Sequence, residues 1–210
     1  MKSLLPGEIL AESFRIIDAE VGTHGFSALE WPVVRRMIHA SGDLDLINLV
    51  YCSPGAVGAG ARAFREGIPI VTDVRMVATG IQGPLREALG VGLHCFLDAP
   101  GVLAAAEARG LTRSACAMEH AIAALPEAVY VVGNAPTALS ALCAAVRNGS
   151  ARPRLVVAMP VGFVGVIESK EEALALSIPV LAVRGRRGGS ALAAAAVNAL
   201  LLLAREEGRP

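Results

Sequence analysis

The sequence predicts an α/β fold in three layers: a mainly parallel sheet of about five to six strands, with helices on both faces. Three observations carry this. Short runs of Val, Ile and Leu without polar alternation, such as Leu155–Ala158 and Val180–Val183, read as strands buried on both faces. These runs alternate along the chain with helical periodicity. Hydrophobic residues make up 54% of the 210 residues and the mean hydropathy is +0.54, which demands a large core and points to a buried interface between copies as well.

Taken in order, Glu8–Val21 places Ile9, Leu10, Phe14, Ile17 and Val21 at mostly three- and four-residue intervals, giving a first helix. Ser27-Ala28-Leu29-Glu30 fits the S-x-x-E capping box of a second helix, while Pro32 suits a first turn and would move the start two or three residues on. Trp31, Val34, Met37, Ile38 and Ser41 form its apolar face. His39 lies off that face beside Arg35 and Arg36, and Gly42 fits the position just past the helix end. Leu46–Tyr51 is then a strand, Ala56–Glu66 a helix, Ile68–Thr72 a strand and Arg75–Thr79 a short helical turn. Val91–Leu97 is a strand, followed by helices Pro100–Ala108 and Thr112–Leu125, strand Val129–Val132, helix Pro136–Arg147 and strand Leu155–Ala158. A second capping box, Ser169–Glu172, opens a helix to Leu176. Strand Val180–Val183 and a helix from about Gly189 to Arg205 close the chain. No repeat or long linker divides it, so residues 1–210 are expected to form one domain.

Charge and motifs exclude several function classes. Lys plus Arg and Asp plus Glu both number 19, so no basic excess steers the chain to nucleic acid or an anionic membrane. The apolar stretch Ser190–Ala204 is interrupted by Asn198 and is shorter than the roughly 20 residues a bilayer span needs. The start MKSLLPGEIL lacks the pattern of a cleavable signal, which favours a cytoplasmic protein whose four cysteines (Cys52, Cys95, Cys116, Cys143) are buried free thiols. His24, His39, His94 and His120 show no metal-ligand spacing, so no metal site is expected. Neither a G-x-S-x-G elbow nor a P-loop occurs.

What is left is a set of loops and one histidine. Gly58–Ala63 fits G-x-G-x-x-[GA] loosely, with Asp73 as a somewhat early acidic partner. It reads either as a dinucleotide site or as a small-residue helix packed on the sheet. Arg184–Ser190 offers three guanidiniums and free N–H groups at a helix start, as an anion site or as a solvated loop. With Gly133–Thr137 and Met159–Gly165 it would lie at the carboxyl edge of the sheet, where α/β proteins bind ligands. His39 stands in a last helical turn, whose dipole favours the imidazolium while Arg35 and Arg36 oppose it. It is a candidate general acid or a solvated helix-end residue. His94 and His120 read as packing residues.

Read together, Glu12-Ser13-Phe14, Arg36–Asp43, Asp73 with Met76-Val77 and Gly80, Thr112–Ala115, Gly133–Leu139, Met159–Gly165 with Glu168-Ser169-Lys170, and Arg184–Ser190 resemble the precorrin-8X methylmutases of cobalamin biosynthesis in order and spacing. The resemblance covers about Glu12 to Ala204 and is weakest over Asp43–Gly60. It implies an isomerase that moves a methyl group from C-11 to C-12 of a tetrapyrrole, precorrin-8X or cobalt-precorrin-8, in a homodimer that uses no cofactor. It matches the family's catalytic histidine to His39 and places Ser13, Arg36 and Arg113 near the substrate. Asn134, in a matched string at the sheet edge, joins them as a substrate contact. A [1,5]-shift needs orientation and one placed proton, which agrees with the missing nucleophile and metal motifs. A tetrapyrrole carrier without catalysis is the rival reading, and a dinucleotide oxidoreductase resting on Gly58–Ala63 the third.

Overall fold

The computed structural model of the chain describes residues 5–207. Residues 1–4, part of the stretch weighed above for an export signal, lie outside them. The elements are α1 (Pro6–Val21), α2 (Trp31–Ser41), a 3-10 turn (Leu44–Asn48), β1 (Val50–Cys52), α3 (Ala56–Arg65), β2 (Ile70–Thr72), α4 (Arg75–Gly80), α5 (Gly83–Ala88) and β3 (Leu93–Cys95). They continue with α6 (Val102–Arg109), α7 (Arg113–Ala124), β4 (Val129–Val132), α8 (Pro136–Arg147), β5 (Leu155–Ala158), α9 (Val166–Leu174), β6 (Val180–Val183) and α10 (Ser190–Glu207).

The six strands form one sheet in the order β1-β6-β5-β4-β2-β3. All neighbours are parallel except β1, which runs antiparallel to β6 with Val50 opposite Val183 and Cys52 opposite Leu181. The period of two along each strand sorts its side chains to opposite faces. Val129, Val131, Leu155, Val157, Leu181 and Val183 join one core with α1, α2, α3, α4 and α10. Tyr130, Val132, Val156, Ala158 and Ala182 join a second core with α7, α8 and α9. Both faces are covered, which is why β4, β5 and β6 are apolar at every position and fully buried.

α10 is the central element of the first face. It packs against α2, α3, α4 and α5, and through small side chains such as Ala193, Ala194 and Ala196 it lies close to the strands. Asn198, the one buried polar side chain among its described residues, serves the break between α4 and α5. The side-chain oxygen accepts the Gln82 N–H (2.8 Å) and the amide donates to the Gly80 carbonyl (2.9 Å). No helix among the described residues is long and apolar enough to cross a membrane.

Departures from the expected elements have local causes. Leu46–Tyr51 is largely a 3-10 turn, because the Asp43 side chain accepts the Asp45 N–H (3.0 Å) and starts a turn that buries Leu46. Only Val50–Cys52 pairs with the sheet. α5 has no counterpart among the expected elements because Gly83-Pro84 reads as a breaker, yet Pro there suits a helix start. Ser27 and Glu30 do bond to each other, as a turn ahead of a helix that begins at Trp31. α9 begins at Val166 rather than Ser169, whose hydroxyl donates to the Val166 carbonyl (3.0 Å) inside the helix. His94 is not a core residue: it is exposed on the sheet edge and stacks on Phe96. Among the thiols, all free, Cys116 and Cys143 are buried while Cys52 and Cys95 are half-buried.

Asn198→Ala leaves the Gln82 N–H and the Gly80 carbonyl without partners inside the core. We expect a loss of about 1–3 kcal/mol in unfolding free energy, read from the urea midpoint.

Candidate active site

The loops after β4, β5 and β6 all leave the carboxyl edge of the sheet, as parallel pairing requires. The segment entering β1 reaches the same edge, where the Leu49 carbonyl accepts the Arg184 N–H (2.8 Å). It brings with it the end of α2.

α2 buries Val33, Val34, Met37 and Ile38 and leaves His39 exposed in its last turn, while Gly42 closes the helix in the left-handed conformation (φ 66°). The His39 ring meets Phe14 of α1 edge-on, with centroids 5.6 Å apart. The Arg35 guanidinium lies over the same Phe14 ring at 4.3 Å, and its charge is met by Asp18 (2.7 Å), which also accepts from the Trp31 indole (2.9 Å). Ser13, one residue before Phe14, is half-buried, and its hydroxyl donates to the Ile9 carbonyl (2.8 Å). Arg36 opens into a groove of about 630 Å³ between α1, α2, α5 and α10, walled by Leu10, Phe14, Leu85, Leu202 and Leu203. A second cleft, of about 340 Å³, separates Ala40, Ser41 and Asp43 from Val161, Arg187 and Gly188.

Arg113 opens α7, and Asn134 lies just ahead of α8. Thr112 caps α7 by accepting the Ala115 N–H (3.2 Å), and its hydroxyl meets that of Thr137 at 2.7 Å, tying the starts of α7 and α8. Arg113 shares Asp98 with Arg75, each guanidinium 2.6 Å from a different carboxylate oxygen. α7 and α8 pack in the second core and α2 in the first, while Arg75 joins the Arg113 group from α4 on the first-core side.

Two buried ions hold the loops between them. Asp73, 3% exposed, accepts the N–H groups of Gly133, Asn134 and Ala135 at 2.7–3.0 Å. Burial pushes its carboxyl above the ordinary range, and the amide donors pull it part of the way back. Lys170, fully buried, donates to the carbonyls of Gly185 (2.8 Å) and Arg187 (2.6 Å), and burial brings its amine down to about 8.

A sequence profile described as precorrin-8X methylmutase matches residues 8–203. The chain belongs to that family. A cobalt-precorrin-8 methylmutase of Synechocystis is 41% identical, covering 95% of this chain and 97% of its own. A precorrin-8X methylmutase of Pseudomonas aeruginosa is 45% identical, covering 91% of this chain and 93% of its own. The crystal structure of a precorrin-8x methyl mutase from Thermus thermophilus superposes with a TM-score of 0.88 at 45% identity, over 96% of this chain and 99% of that one.

In this methylmutase fold His39 meets the Phe14 ring, Arg36 lines a groove with it and Ser13 is its chain neighbour, while Arg113 and Asn134 belong to the starts of α7 and α8. Asp73 is no ribose ligand, because its carboxylate is spent on three loop amides. Gly58–Ala63 is a packing helix: α3 follows an antiparallel strand, and Gly60 lies against Leu155 and Leu200. Sequence reasoning passed over Lys170 and the Arg75–Asp98 pair. The available signal for Lys170 is its place on one stripe with Val166, Ser169 and Ala173, all buried.

Between about pH 8 and the ordinary lysine value of 10.5, the unfolded chain holds a proton that folded Lys170 has released. Folding stability therefore rises with pH across that window. The urea midpoint of the wild type should climb relative to that of Lys170→Met from pH 8 to pH 10; a constant difference would show that Lys170 does not titrate there.

Proposed function

We propose that this chain is a cytoplasmic isomerase, acting as a single precorrin isomerase domain over residues 1–210, that moves the C-11 methyl group of precorrin-8X to C-12 to give hydrogenobyrinic acid, or does the same on cobalt-precorrin-8. Membership of the methylmutase family along nearly the whole chain carries this reading. Both substrate names occur among relatives of similar identity, so both are offered to the enzyme in the test.

His39 is the proton donor. It is the exposed titratable residue at the end of α2, on the carboxyl edge, with its ring seated against Phe14. Protonating the conjugated ring lowers the barrier to the shift, and the imidazole then takes a proton back from the rearranged ring so that the product is an isomer of the substrate, which is general acid–base chemistry at one placed group. Ser13 and Arg36 contact the substrate from the same side. Arg113 and Asn134 hold its rim carboxylates and polar groups, the guanidinium by charge-assisted hydrogen bonds. The chain works as a homodimer. The division of the candidate residues between helices of two cores supports this, because a second copy offers its own rim to the first.

Purified protein at substoichiometric amounts should convert precorrin-8X or cobalt-precorrin-8 with a change in the visible spectrum. His39→Ala should keep the fold and lose conversion by about 10²-fold or more; full turnover by this variant removes its role. Arg113→Ala should raise the dissociation constant for hydrogenobyrinic acid about tenfold, the scale of one charge-assisted bond. Light scattering should give twice the 21.6 kDa chain mass.

A further inference from the structure

We propose that Lys170 is a positioning residue of this active site: by bonding the carbonyls of Gly185 and Arg187 from within the core, it holds the β6–α10 loop so that Arg187 sets the wall of the cleft beside the His39 helix. The inference rests on the proposed isomerase reading and names a residue that supports it from behind.

Stability alone does not explain a lysine here. Burying an amine costs several kcal/mol unless its donors are met, and an apolar side chain of similar volume generally does as well or better. Lys170 is fully buried on the stripe of α9 that faces the core. Its partners are two backbone carbonyls, 2.8 and 2.6 Å away, on residues two apart in an irregular loop. A methionine would fill the space and leave both carbonyls without this donor. What the lysine adds is two fixed points on the loop.

The rest of the loop depends on those points. The Arg186 carbonyl accepts the Gly162 N–H (3.4 Å), and the Gly189 N–H donates to the Met159 carbonyl (2.8 Å), joining this loop to the one after β5. Between them Gly188 passes so close to the Met159 and Pro160 carbonyls that a Cβ there would collide with both. From this backbone the Arg187 guanidinium reaches Asp43 at 3.1 Å and Asp45 at 3.7 Å. Asp43 follows directly on the Gly42 turn that ends the His39 helix.

Magnitudes decide which link matters. The Arg187–Asp43 pair is partly solvent-exposed, and such pairs are worth only about 0–1 kcal/mol. It cannot by itself pull a loop into place. It forms because the backbone behind it is already placed, and Lys170 does the placing. The roughly 340 Å³ cleft between Asp43 and Arg187 then has a set width. Misplacing such a wall by about 1 Å costs on the order of 10²-fold in rate when orientation is the main source of catalysis.

The test is steady-state turnover by wild type, Lys170→Met, Arg187→Gln and the double variant, with folding checked by circular dichroism. We expect each single change to lower kcat about tenfold or more while KM moves less than about threefold. The double variant should match the slower single, because both changes break one chain of contacts. Lys170→Gln, which keeps an amide donor too short to span both carbonyls, should show the same split. Wild-type kcat in a folded Lys170 variant, multiplicative losses in the double, or failure of both Lys170 variants to fold would overturn the assignment. Absence of turnover by the wild type would refute the isomerase activity instead.

Discussion

Everything on the His39 side of the sheet rests on how closely α10 lies against the strands. Alanines and Val197 on its inner side allow that approach, and its buried surface includes Leu192, Leu200 and Leu201. α2 shares a core with the inner face of the sheet, but its main contacts lie elsewhere. It packs on α10, and α1 packs on α2, so His39 is held through one intervening helix. A close-packed interior transmits such placement because it has few voids in which a shift could be absorbed. Asn198 is the one buried polar side chain among the described residues of α10, and it is used to stop α4 and start α5 where the helix needs them.

The edge itself is organised by two ions of opposite sign, each matched to the backbone group it can bond. A carboxylate has only acceptors, so Asp73 gathers three amides of the loop after β4. An amine has only donors in its charged form, so Lys170 gathers two carbonyls of the loop after β6. Neutral lysine still keeps two N–H groups, enough for both carbonyls, so the loop stays bonded after the proton leaves. Irregular backbone is thereby kept inside the protein without unsatisfied groups, which loops normally avoid by staying in water.

Much of this is legible in the sequence, and the divide follows burial. Val129–Val132, Leu155–Ala158, Val180–Val183 and Pro136–Arg147 can be read to the residue, because two-sided burial leaves unbroken apolar runs and Pro136 marks a helix start. The exposure of His39 follows from its angle on α2. The outer strands β1 and β3 are read too long, since Leu46 and Val91 are apolar for reasons of helix and turn packing. Lys170 looks solvated beside Glu168, Glu171 and Glu172, and only the helix phase set by Val166 turns it inward. The placement of α7, which Arg113 opens, in the second core depends on which side each crossover takes, and no local pattern records that.

The reversal of β1 has a consequence for how the chain maps onto its own rim. In the parallel strands the edge receives what comes after each strand, whereas at β1 it receives what comes before. Walking the rim from β1 to β3 therefore meets Asp43, then Arg187, then Pro160, then Asn134, then Asp73, then Asp98. Between its first and last steps the walk runs backwards through the sequence. One reversed strand of three residues makes neighbours of segments more than 140 positions apart, Asp43 and Arg187. Asp43 and Arg187 are thus brought to one cleft from distant parts of the chain.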